Sequence, residues 1–383
     1  MATRVISPAL VAVAIRALVA LAILTSPALT TAQLRRMLED RGPIQNLDLY
    51  WGNASPDRAP ISPFTFLSED VDGTNPKAIL QDANGMLWNA KWDEEVPAEI
   101  AATRLAWALG LRVEETYYVE DGQIVFPNGK PHFHRLGSFI HKTGRFRSAA
   151  RFERRGPEVV NKGPWRLDGG PVVADGGYSI LILMNVVMAN WDARDSNNKI
   201  LSIADERGTT DWYIVGDYGA CFGKMGGAFS RSKYKLADFL QNRPVIASIR
   251  GQTAYLAYSG SNSAAHASVP LEGVRLFAKR ASGLSLKQVE DAFRAAHASD
   301  AELQGFAQAT YQRIQEVVRA GSPVGSLAGS LRTISSAVER KLPKLDVAGS
   351  IRTLSSMAHL TIFDKRDRNT RPSFESRRVS SFG

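Results

Sequence analysis

The stretch WDARDSNN, residues 191–198, follows an apolar run that predicts a buried helix over residues 177–190. Within this polar stretch, Asp192 and Asn197 stand five positions apart. A carboxylate can accept a proton from a substrate hydroxyl, and an amide oxygen can bind a metal ion, so the pair is a candidate for chemistry. The alternative is a solvated turn rich in Asp and Asn, which is common in proteins.

A second candidate carboxylate, Asp217, lies downstream of this loop. The apolar segment Trp212–Val215 predicts a buried strand, and the strand ends in the sequence GDYG at residues 216–219. A carboxylate at the end of a strand, followed by an aromatic residue and a glycine, resembles the metal-binding Asp-Phe-Gly motif of kinases. The alternative is a plain turn of the Asp-x-Gly type.

A third candidate group lies upstream. Asn84-Gly85 predicts a hairpin turn, and the returning strand over Met86–Trp92 carries Lys91. A helix is predicted over residues 97–109, bounded by Pro and Gly, with Glu99 on its first turn. A carboxylate on the next helix can hold the ammonium group in place, and the ammonium group can then bind phosphate. The alternative is a surface lysine and an unrelated glutamate, which the helix dipole alone would favour at that position.

The order of these groups resembles the kinase-like superfamily, over residues 72–110 and 178–223. The likeness is to its atypical branch, which includes HipA-type kinases, phosphatidylinositol kinases and secretory-pathway kinases. The sequence is also similar to uncharacterised exported bacterial proteins that carry Trp-Asp-x3-Ser-Asn-Asn and Asp-x-Gly-Ala-x-Phe-Gly, which here are residues 191–198 and 217–223.

The resemblance implies an α+β, two-lobed protein-kinase-like fold. An N-lobe over residues 61–145 would hold an antiparallel sheet with one helix, and a C-lobe over residues 146–320 would be mainly helical. The implied cofactors are ATP and Mg²⁺ (or Mn²⁺). The implied roles are phosphate binding by Lys91, its orientation by Glu99, catalysis by Asp192, metal binding by Asn197 and Asp217, and covering of the nucleotide phosphates by the loop with Gly73, Thr74 and Lys77.

Several departures keep a second interpretation open. The sequence lacks a Gly-x-Gly-x-x-Gly motif, and Asp192 is followed by Ala and Arg where lipid kinases and HipA-type proteins have Arg and His. Lys91 and Glu99 are only eight positions apart, so the helix has to begin directly after the strand. The alternative to a phosphotransferase, with transfer of phosphate or of AMP to a protein, lipid or small molecule, is a catalytically inactive pseudokinase-type binding module at the cell envelope.

The amino terminus predicts export. Residues 1–32 combine an early arginine, a largely apolar run and small residues before residue 33, as in a secretory signal peptide, and a leader follows over residues 33–60. We therefore expect a periplasmic or extracellular protein, the alternative being an uncleaved anchor. The single cysteine, Cys221, rules out a disulfide within the chain.

The carboxyl-terminal residues 321–383 are rich in Gly, Ser and Arg and contain a 20-residue repeat that begins at Ala328 and again at Ala348. The repeats predict short amphipathic helices that dock on the body, on an envelope protein or on a membrane surface. The net charge of +9 is spread diffusely, without a motif of interleaved aromatic and basic residues, so we do not expect a nucleic-acid partner.

The remaining segments give local expectations. Residues 111–126 predict a hairpin, residues 134–140 a strand, and residues 141–172 a linker with surface loops. Ser285 with Gln288 and Ser299 with Glu302 predict capping boxes at the start of two core helices.

Overall fold

The computed structural model describes residues 34–155, 159–168, 175–205, 208–227 and 229–322. Contacts along the chain separate a unit over Met1–Ser326 from a second over Leu327–Gly383, and the described residues belong to the first. The predicted signal peptide and the two repeats lie outside the described residues. Among the residues described, no helix has both the length and the apolar composition needed to cross a bilayer.

The described chain alternates between strand-rich and helical parts. The strands are β1 (Leu34–Arg36), β2 (Phe64–Asp70), β3 (Lys77–Gln81), β4 (Leu87–Trp92), β5 (Thr116–Val119), β6 (Ile124–Val125), β7 (Ala150–Arg154), β8 (Val159–Asn161), β9 (Asn198–Asp205), β10 (Gly208–Val215), β11 (Ile246–Arg250), β12 (Thr253–Leu256) and β13 (Ser268–Pro270). The helices are α1 (Val96–Ala108), α2 (Gly177–Val187), α3 (Leu236–Phe239), α4 (Leu271–Ala281), α5 (Leu286–Ala295) and α6 (Asp300–Gly321).

The amino-terminal half is built on a six-stranded sheet in the order β5-β7-β4-β3-β2-β6. Its strands pair antiparallel except for β6, which runs parallel to β2. The predicted turn joins β3 to β4, where Gly85 has a φ of 81° that favours glycine. One face of the sheet packs on a small apolar core, whose largest members are Phe64, Trp88, Trp92, Phe146 and Phe152.

The helix α1 lies between this sheet and the rest of the molecule. Its alanine-rich sequence is buried on nearly every side, as expected for a helix inside a protein and not on its surface. The buried guanidinium of Arg104 has backbone partners, since it donates to the carbonyl oxygens of Thr116 at 2.6 Å and Tyr50 at 3.2 Å. The apolar side chains of α1 join the larger core of the carboxyl-terminal half.

That larger core is mainly helical. The strongly apolar helix α2 lies inside it and packs against α4 and α6, while α5 packs against α6 and α1. The predicted capping box at α5 is present, because Ser285 Oγ accepts the N–H of Gln288 at 3.2 Å and Gln288 Oε1 accepts the N–H of Ser285 at 3.0 Å. Two smaller sheets flank the helices, in the orders β1-β10-β9-β8 and β11-β12-β13. The predicted α+β class, with an antiparallel sheet and one helix first and mostly helices after, is confirmed.

The expected leader over residues 33–60 is wrong in part, because this segment belongs to the fold. Strand β1 pairs parallel with β10. The next two residues, Met37 and Leu38, donate their N–H groups to the carboxylate of Asp175 at 2.8 and 2.9 Å, and their side chains enter the larger core. The apolar residues of this segment follow neither a helical nor a strand period, so the sequence did not indicate that the segment joins the core.

The expected linker over residues 141–172 is also wrong, and the boundary at residue 145 falls too early. Strand β7 lies in the middle of the six-stranded sheet, between β5 and β4. Its sequence alternates apolar and charged residues, but both kinds are buried, since Arg151 and Glu153 have charged partners inside the molecule. The alternation is typical of a strand with one solvent-facing side, but here the charged side faces the inside of the molecule.

Two further local expectations differ from the structure. The segments over residues 111–126 do not form a hairpin, because β5 pairs with β7 and β6 with β2. Residues 134–140 are not a strand, because the carboxylate of Glu69 accepts three consecutive N–H groups, those of His134, Arg135 and Leu136, at 2.7 to 3.0 Å. Three successive donors can converge on one carboxylate only in a tight turn, and a short 3₁₀ turn follows at Leu136–Ser138.

Candidate functional site

A row of charged residues crosses the six-stranded sheet on the face opposite the small apolar core. The strand register places Asp70, Lys77, Lys91 and Arg151 directly opposite one another on β2, β3, β4 and β7. Residues opposite each other in antiparallel strands project to the same face. This row therefore presents one carboxylate and three cations toward α1 and the carboxyl-terminal half.

Lys91 is the centre of the row and is only 4% exposed. Its Nζ lies 2.5 Å from Glu95 Oε2, forms an ion pair with Glu99, and lies 3.9 Å from Asp217 Oδ1. Burial acts to lower the pKa of Lys91, but Glu99, Asp217 and Glu95 outweigh it and raise the pKa above the ordinary value. The ammonium is therefore held in its charged form inside the molecule.

Glu99 lies on the first turn of α1, as predicted, and is 2% exposed. Besides Lys91, its carboxylate contacts Arg151, whose Nε lies 2.6 Å from Glu99 Oε2. Burial raises the pKa of Glu99 to about 7, although Arg151 and Lys91 act in the opposite direction. Glu99 thus bridges two cations of neighbouring strands, which fixes the position of Lys91.

Glu95 is a third carboxylate of the site, and the sequence analysis did not identify it. It immediately precedes α1 and accepts hydrogen bonds from Lys91 Nζ, from Asn75 Nδ2 at 2.6 Å and from Lys233 Nζ at 2.5 Å. A Cβ at Gly219 would lie 2.4 Å from Glu95 Oε2, so the glycine after Tyr218 makes room for it. Burial acts to raise the pKa of Glu95, but Lys91 outweighs it and the pKa is lowered.

Asp217 follows the end of β10, and its side chain is 39% exposed, unlike the other two carboxylates. Its Oδ1 accepts the N–H of Gly219 at 2.9 Å. Burial acts to raise the pKa of Asp217, but Lys91 and this N–H group outweigh it and lower the pKa. One oxygen each from Glu95, Glu99 and Asp217 lie within 4.8 Å of one another. Carboxylate oxygens are donors that Mg²⁺ or Mn²⁺ takes. The ammonium of Lys91 pairs with all three carboxylates, and Asp217 is the partly exposed one, so Asp217 fits the predicted cation while Glu95 and Glu99 are engaged with Lys91.

The loop with Asp192 and Asn197 joins the same part of the molecule through the backbone. Asn197 donates its side-chain amide to the carbonyl oxygen of Asp192 at 2.9 Å, and its own carbonyl oxygen accepts the N–H of Gly216 at 2.8 Å. Gly216 precedes Asp217, so the first bond holds the loop together and the second connects it to the end of β10. The carboxylate of Asp192 is paired with Arg194, whose Nε lies 2.5 Å from Asp192 Oδ1.

The predicted phosphate loop lies in the connection from β2 to β3. Gly73 and Thr74 are exposed there, and Gly73 has a φ of 71°. Asn75 brings this loop onto the site through its bond to Glu95. Lys77 is directly opposite Lys91 in the sheet, but its Nζ pairs with Asp70 at 3.0 Å.

The structure therefore brings Lys91, Glu99 and Asp217 together, and connects Asp192 and Asn197 to them by backbone hydrogen bonds. Their roles stay predictions. The sequence analysis missed four residues of the cluster, namely Asn75, Glu95, Arg151 and Lys233. Two signals were available: Glu95 is four positions after Lys91 and adjoins the predicted helix, and Arg151 alternates with apolar residues in a strand-like run.

The charged network continues along the sheet beyond Lys91. Arg151 NH2 lies 3.0 Å from Glu153 Oε2, and Lys199 lies 3.8 Å from Glu153 and forms an ion pair with Glu114. Burial and the neighbouring Glu153 raise the pKa of Glu114 to about 8. Lys199 follows the loop of Asn197 by two residues, so charged pairs, like the backbone bonds, connect the sheet to this loop.

Comparison with known proteins finds likeness in structure alone. No protein-family model matches the chain, and no curated protein matches it in sequence. The Helicobacter pylori proinflammatory kinase CtkA is similar over 68% of this chain and 98% of that chain, with 12% identity and a TM-score of 0.41. The Golgi casein kinase is similar over 76% and 86%, with 10% identity and a TM-score of 0.38.

A second structure of the Golgi casein kinase, with Mn and ADP bound, covers 81% of this chain and 90% of that chain, with 12% identity and a TM-score of 0.37. These structural neighbours are kinases. Because the TM-scores are below 0.5, the likenesses add no support for a shared activity, which has to come from the geometry of the chain's own residues.

Proposed function

We propose that the chain is a kinase-like phosphotransferase that uses ATP and Mg²⁺ or Mn²⁺ and transfers a phosphorus-containing group to a protein, lipid or small-molecule acceptor. One observation carries the proposal. A buried lysine is held by a glutamate of the next helix, and its Nζ lies 3.9 Å from a partly exposed carboxylate that follows the end of another strand. Phosphoryl transfer needs little more from a protein than a cation on the phosphates, metal ligands and a carboxylate near the attacking hydroxyl.

The residues divide this work between them. Lys91 contacts the nucleotide phosphates and Glu99 orients it, while Asp217 and Asn197 hold the divalent cation. The cation would offset negative charge that develops on the phosphates. Asp192 accepts the proton of the acceptor hydroxyl, and the loop with Gly73 and Thr74 covers the phosphates through its N–H groups. Lys77 reaches them only if it leaves Asp70.

We further propose that the protein acts outside the cytoplasm, in the periplasm or beyond, where it is associated with the envelope. The apolar run within residues 1–32 supports export, and the repeats in residues 321–383 support contact with an envelope protein or a membrane surface. Nucleotide is scarce outside the cytoplasm, so this location makes the nucleotide requirement the first property to measure.

The test uses the purified full chain with Mg²⁺ or Mn²⁺ and with ATP labelled on either the γ- or the α-phosphate, which separates phosphate transfer from AMP transfer. We expect incorporation of label, and we expect Asp217→Asn to reduce it by about 100-fold or more, as for loss of one charged group that acts on the transition state. Asp168→Asn is the matched control, because that exposed aspartate is paired with Arg166 at the surface of the described part of the chain. Incorporation that is unchanged in Asp217→Asn would remove this residue from the site.

A second function, a pseudokinase-type binding module, is favoured by the partners of Glu95. Glu95 and Glu99 both accept hydrogen bonds from the ammonium of Lys91, and Glu95 also binds the phosphate loop through Asn75. A nucleotide has to displace these contacts before it meets Lys91. Thermal unfolding separates the two functions. A nucleotide site predicts a melting temperature that rises with ATP and metal concentration above the Kd, whereas a module that binds no nucleotide predicts no change.

A further inference from the structure

A line of three uncharged polar side chains lies behind the loop of Asp192. His266, Asn185 and Asn190 are each 0% exposed. His266 Nε2 lies 3.0 Å from Asn185 Nδ2, Asn190 Nδ2 lies 3.2 Å from Asn185 Oδ1, and Asn190 Oδ1 accepts the N–H of Asp192 at 3.2 Å. The line therefore runs from an imidazole to the backbone of the proposed catalytic residue.

Backbone groups fix both ends of this line. At one end, His266 Nδ1 lies 3.0 Å from the carbonyl oxygen of Asn262, which can only accept, so Nδ1 carries a proton. At the other end, the N–H of Asp192 can only donate, so Asn190 has to present its oxygen. The amide nitrogen of Asn190 then faces Asn185, which presents its oxygen in turn.

Only one protonation state of the histidine completes this line. With its oxygen toward Asn190, Asn185 directs its amide nitrogen at His266 Nε2, which therefore has to be a bare acceptor. A proton on His266 Nε2 would face the amide nitrogen of Asn185, so two donors would oppose each other. Rotating the Asn185 amide by 180° would remove this clash but would place the amide nitrogens of Asn185 and Asn190 opposite each other or, if Asn190 also rotated, two donors opposite each other at Asp192. Burial lowers the pKa of His266 to about 4, which agrees with a neutral ring.

The segment that carries His266 also binds the loop directly. The hydroxyl of Tyr258 donates to the carbonyl oxygen of Asn190 at 2.8 Å, and the N–H of Ser261 donates to that of Trp191 at 2.8 Å. A Cβ at Gly260 would lie 2.5 Å from the same Trp191 oxygen, so the two backbones approach as closely as glycine allows. Ser261 Oγ lies 3.4 Å from Asp192 Oδ1.

We propose that His266 is a positioning residue for Asp192. Its neutral imidazole, protonated on Nδ1, sets the direction of the Asn185 and Asn190 amides, and these hold the backbone of Asp192 so that its carboxylate faces the acceptor. This inference rests on the proposed function for the meaning of that position. The hydrogen-bond line itself is tested without any activity.

The first test is spectroscopic and uses the full chain with ¹⁵N-labelled histidine at pH 7.5. We expect the His266 ring to show one protonated nitrogen, Nδ1, and one bare nitrogen, Nε2. In Asn185→Asp, a carboxylate can accept from both His266 and Asn190, so both ring nitrogens become protonated. A wild-type ring protonated on Nε2, or a ring that is unaltered in Asn185→Asp, would overturn the proposal.

The second test compares two variants of the histidine. His266→Phe keeps a ring that stacks on Tyr258 but removes the acceptor, whereas His266→Gln keeps an acceptor for Asn185. We expect faster hydrogen exchange in a peptide covering residues 190–198 for His266→Phe, with partial return toward the wild type in His266→Gln. Exchange in that peptide that is the same in all three proteins contradicts the proposal.

The third test is kinetic. We expect kcat to fall by about 10- to 100-fold in His266→Phe, because a small displacement of a catalytic group has such an effect, and the KM for ATP to stay within about twofold. A parallel rise in the KM for ATP would indicate general disruption and overturn a positioning role. Gly260→Ala should reproduce the fall in kcat, whereas Gly227→Ala, where a Cβ meets nothing within 4 Å, should not.

These readouts separate the two proposals. If the wild-type chain transfers no label at all, the proposed function fails, while the ring nitrogens and the exchange of residues 190–198 still decide whether His266 holds the loop. If transfer occurs but the ring is protonated on Nε2, the positioning role fails and the proposed function stands.

Discussion

Two parts of the candidate site are held by different kinds of polar network. On the sheet side, Lys91 and Arg151 of the six-stranded sheet lie among Glu95, Glu99 and Asp217, and the buried groups are charged. The carboxyl-terminal half contributes Asp217 and Lys233 to this network. On the side of the helices, the loop of Asp192 is held by neutral groups, the amides of Asn185 and Asn190 and the imidazole of His266.

The difference follows from what each side has to do. Charges attract in every direction, so a lysine can exchange one carboxylate for a phosphate and remain compensated. Neutral amides bind only when donor faces acceptor, so they hold a backbone in one arrangement. We infer that the sheet side is built to admit a charged ligand, and that the helical side is built to keep one carboxylate in place.

The largest effect is expected when the charged side loses a cation. Arg151→Met leaves the buried carboxylates of Glu99 and Glu153 without this partner, and breaking a buried charged pair in this way costs about 3–5 kcal/mol of unfolding free energy. Urea denaturation measures the change.

Arg154→Met is the control on the same strand, because Arg154 is partly exposed and lies 3.7 Å from Glu115. A pair of that kind contributes no more than about 1 kcal/mol. Equal losses in the two variants would show that the charged row contributes to stability no more than a surface pair does.

The neutral side predicts a pH effect of intermediate size. The pKa of His266 is about 4 in the folded chain, against an ordinary value of 6.5, so the unfolded state binds the proton first. Stability from the neutral ring is therefore complete above pH 6.5 and is lost as pH falls toward 4, by about 2 kcal/mol at pH 5. Tyr258, the titratable group stacked on the ring, has a pKa that burial raises, so it stays neutral over this range.

Urea denaturation at pH 7.5 and pH 5.0 checks this expectation. His266→Phe should be less stable than the wild type at pH 7.5, and the difference should shrink at pH 5.0 because only the wild type loses the contribution of the ring. A difference that is the same at both pH values would mean that His266 is not held neutral by its surroundings.

The smallest expected effect concerns Glu95. Glu95→Gln removes a carboxylate that competes with nucleotide phosphates for Lys91 and Lys233, so we expect the Kd for ATP with Mg²⁺ to fall about fivefold, a change of about 1 kcal/mol. Calorimetric titration measures it. A Kd that rises would assign Glu95 to the cation, and no binding by either protein would favour the pseudokinase-type module.

The sequence predicted the charged side better than the neutral one. Lys91 and Glu99 could be placed because a hairpin turn and a helix bounded by Pro and Gly fix their neighbourhood within about 20 residues. Arg151 could not, since it reaches Glu99 through pairing of β7 with β4, which are nearly 60 residues apart.

The groups that hold the loop of Asp192 could not be recognised in the sequence for a related reason. Asn185 lies in an apolar helix and reads as an isolated polar residue, and His266 lies in a loop of small residues. Their role depends on the direction of their hydrogen bonds. That direction is set by backbone groups at both ends of the line and by the contact between Asn185 and His266, which are 81 positions apart in the sequence. Composition and periodicity carry no information of that kind.

The pairing of β1 with β10 has a consequence for maturation. β1 begins at Leu34, directly after the predicted signal peptide, and its neighbour β10 ends two residues before Asp217. A peptidase that trimmed only a few residues too far would remove β1 and uncover the edge of the strand that leads to this aspartate. If the protein is exported as proposed, cleavage before residue 33 has to be accurate to within a few residues to keep β1 paired with β10.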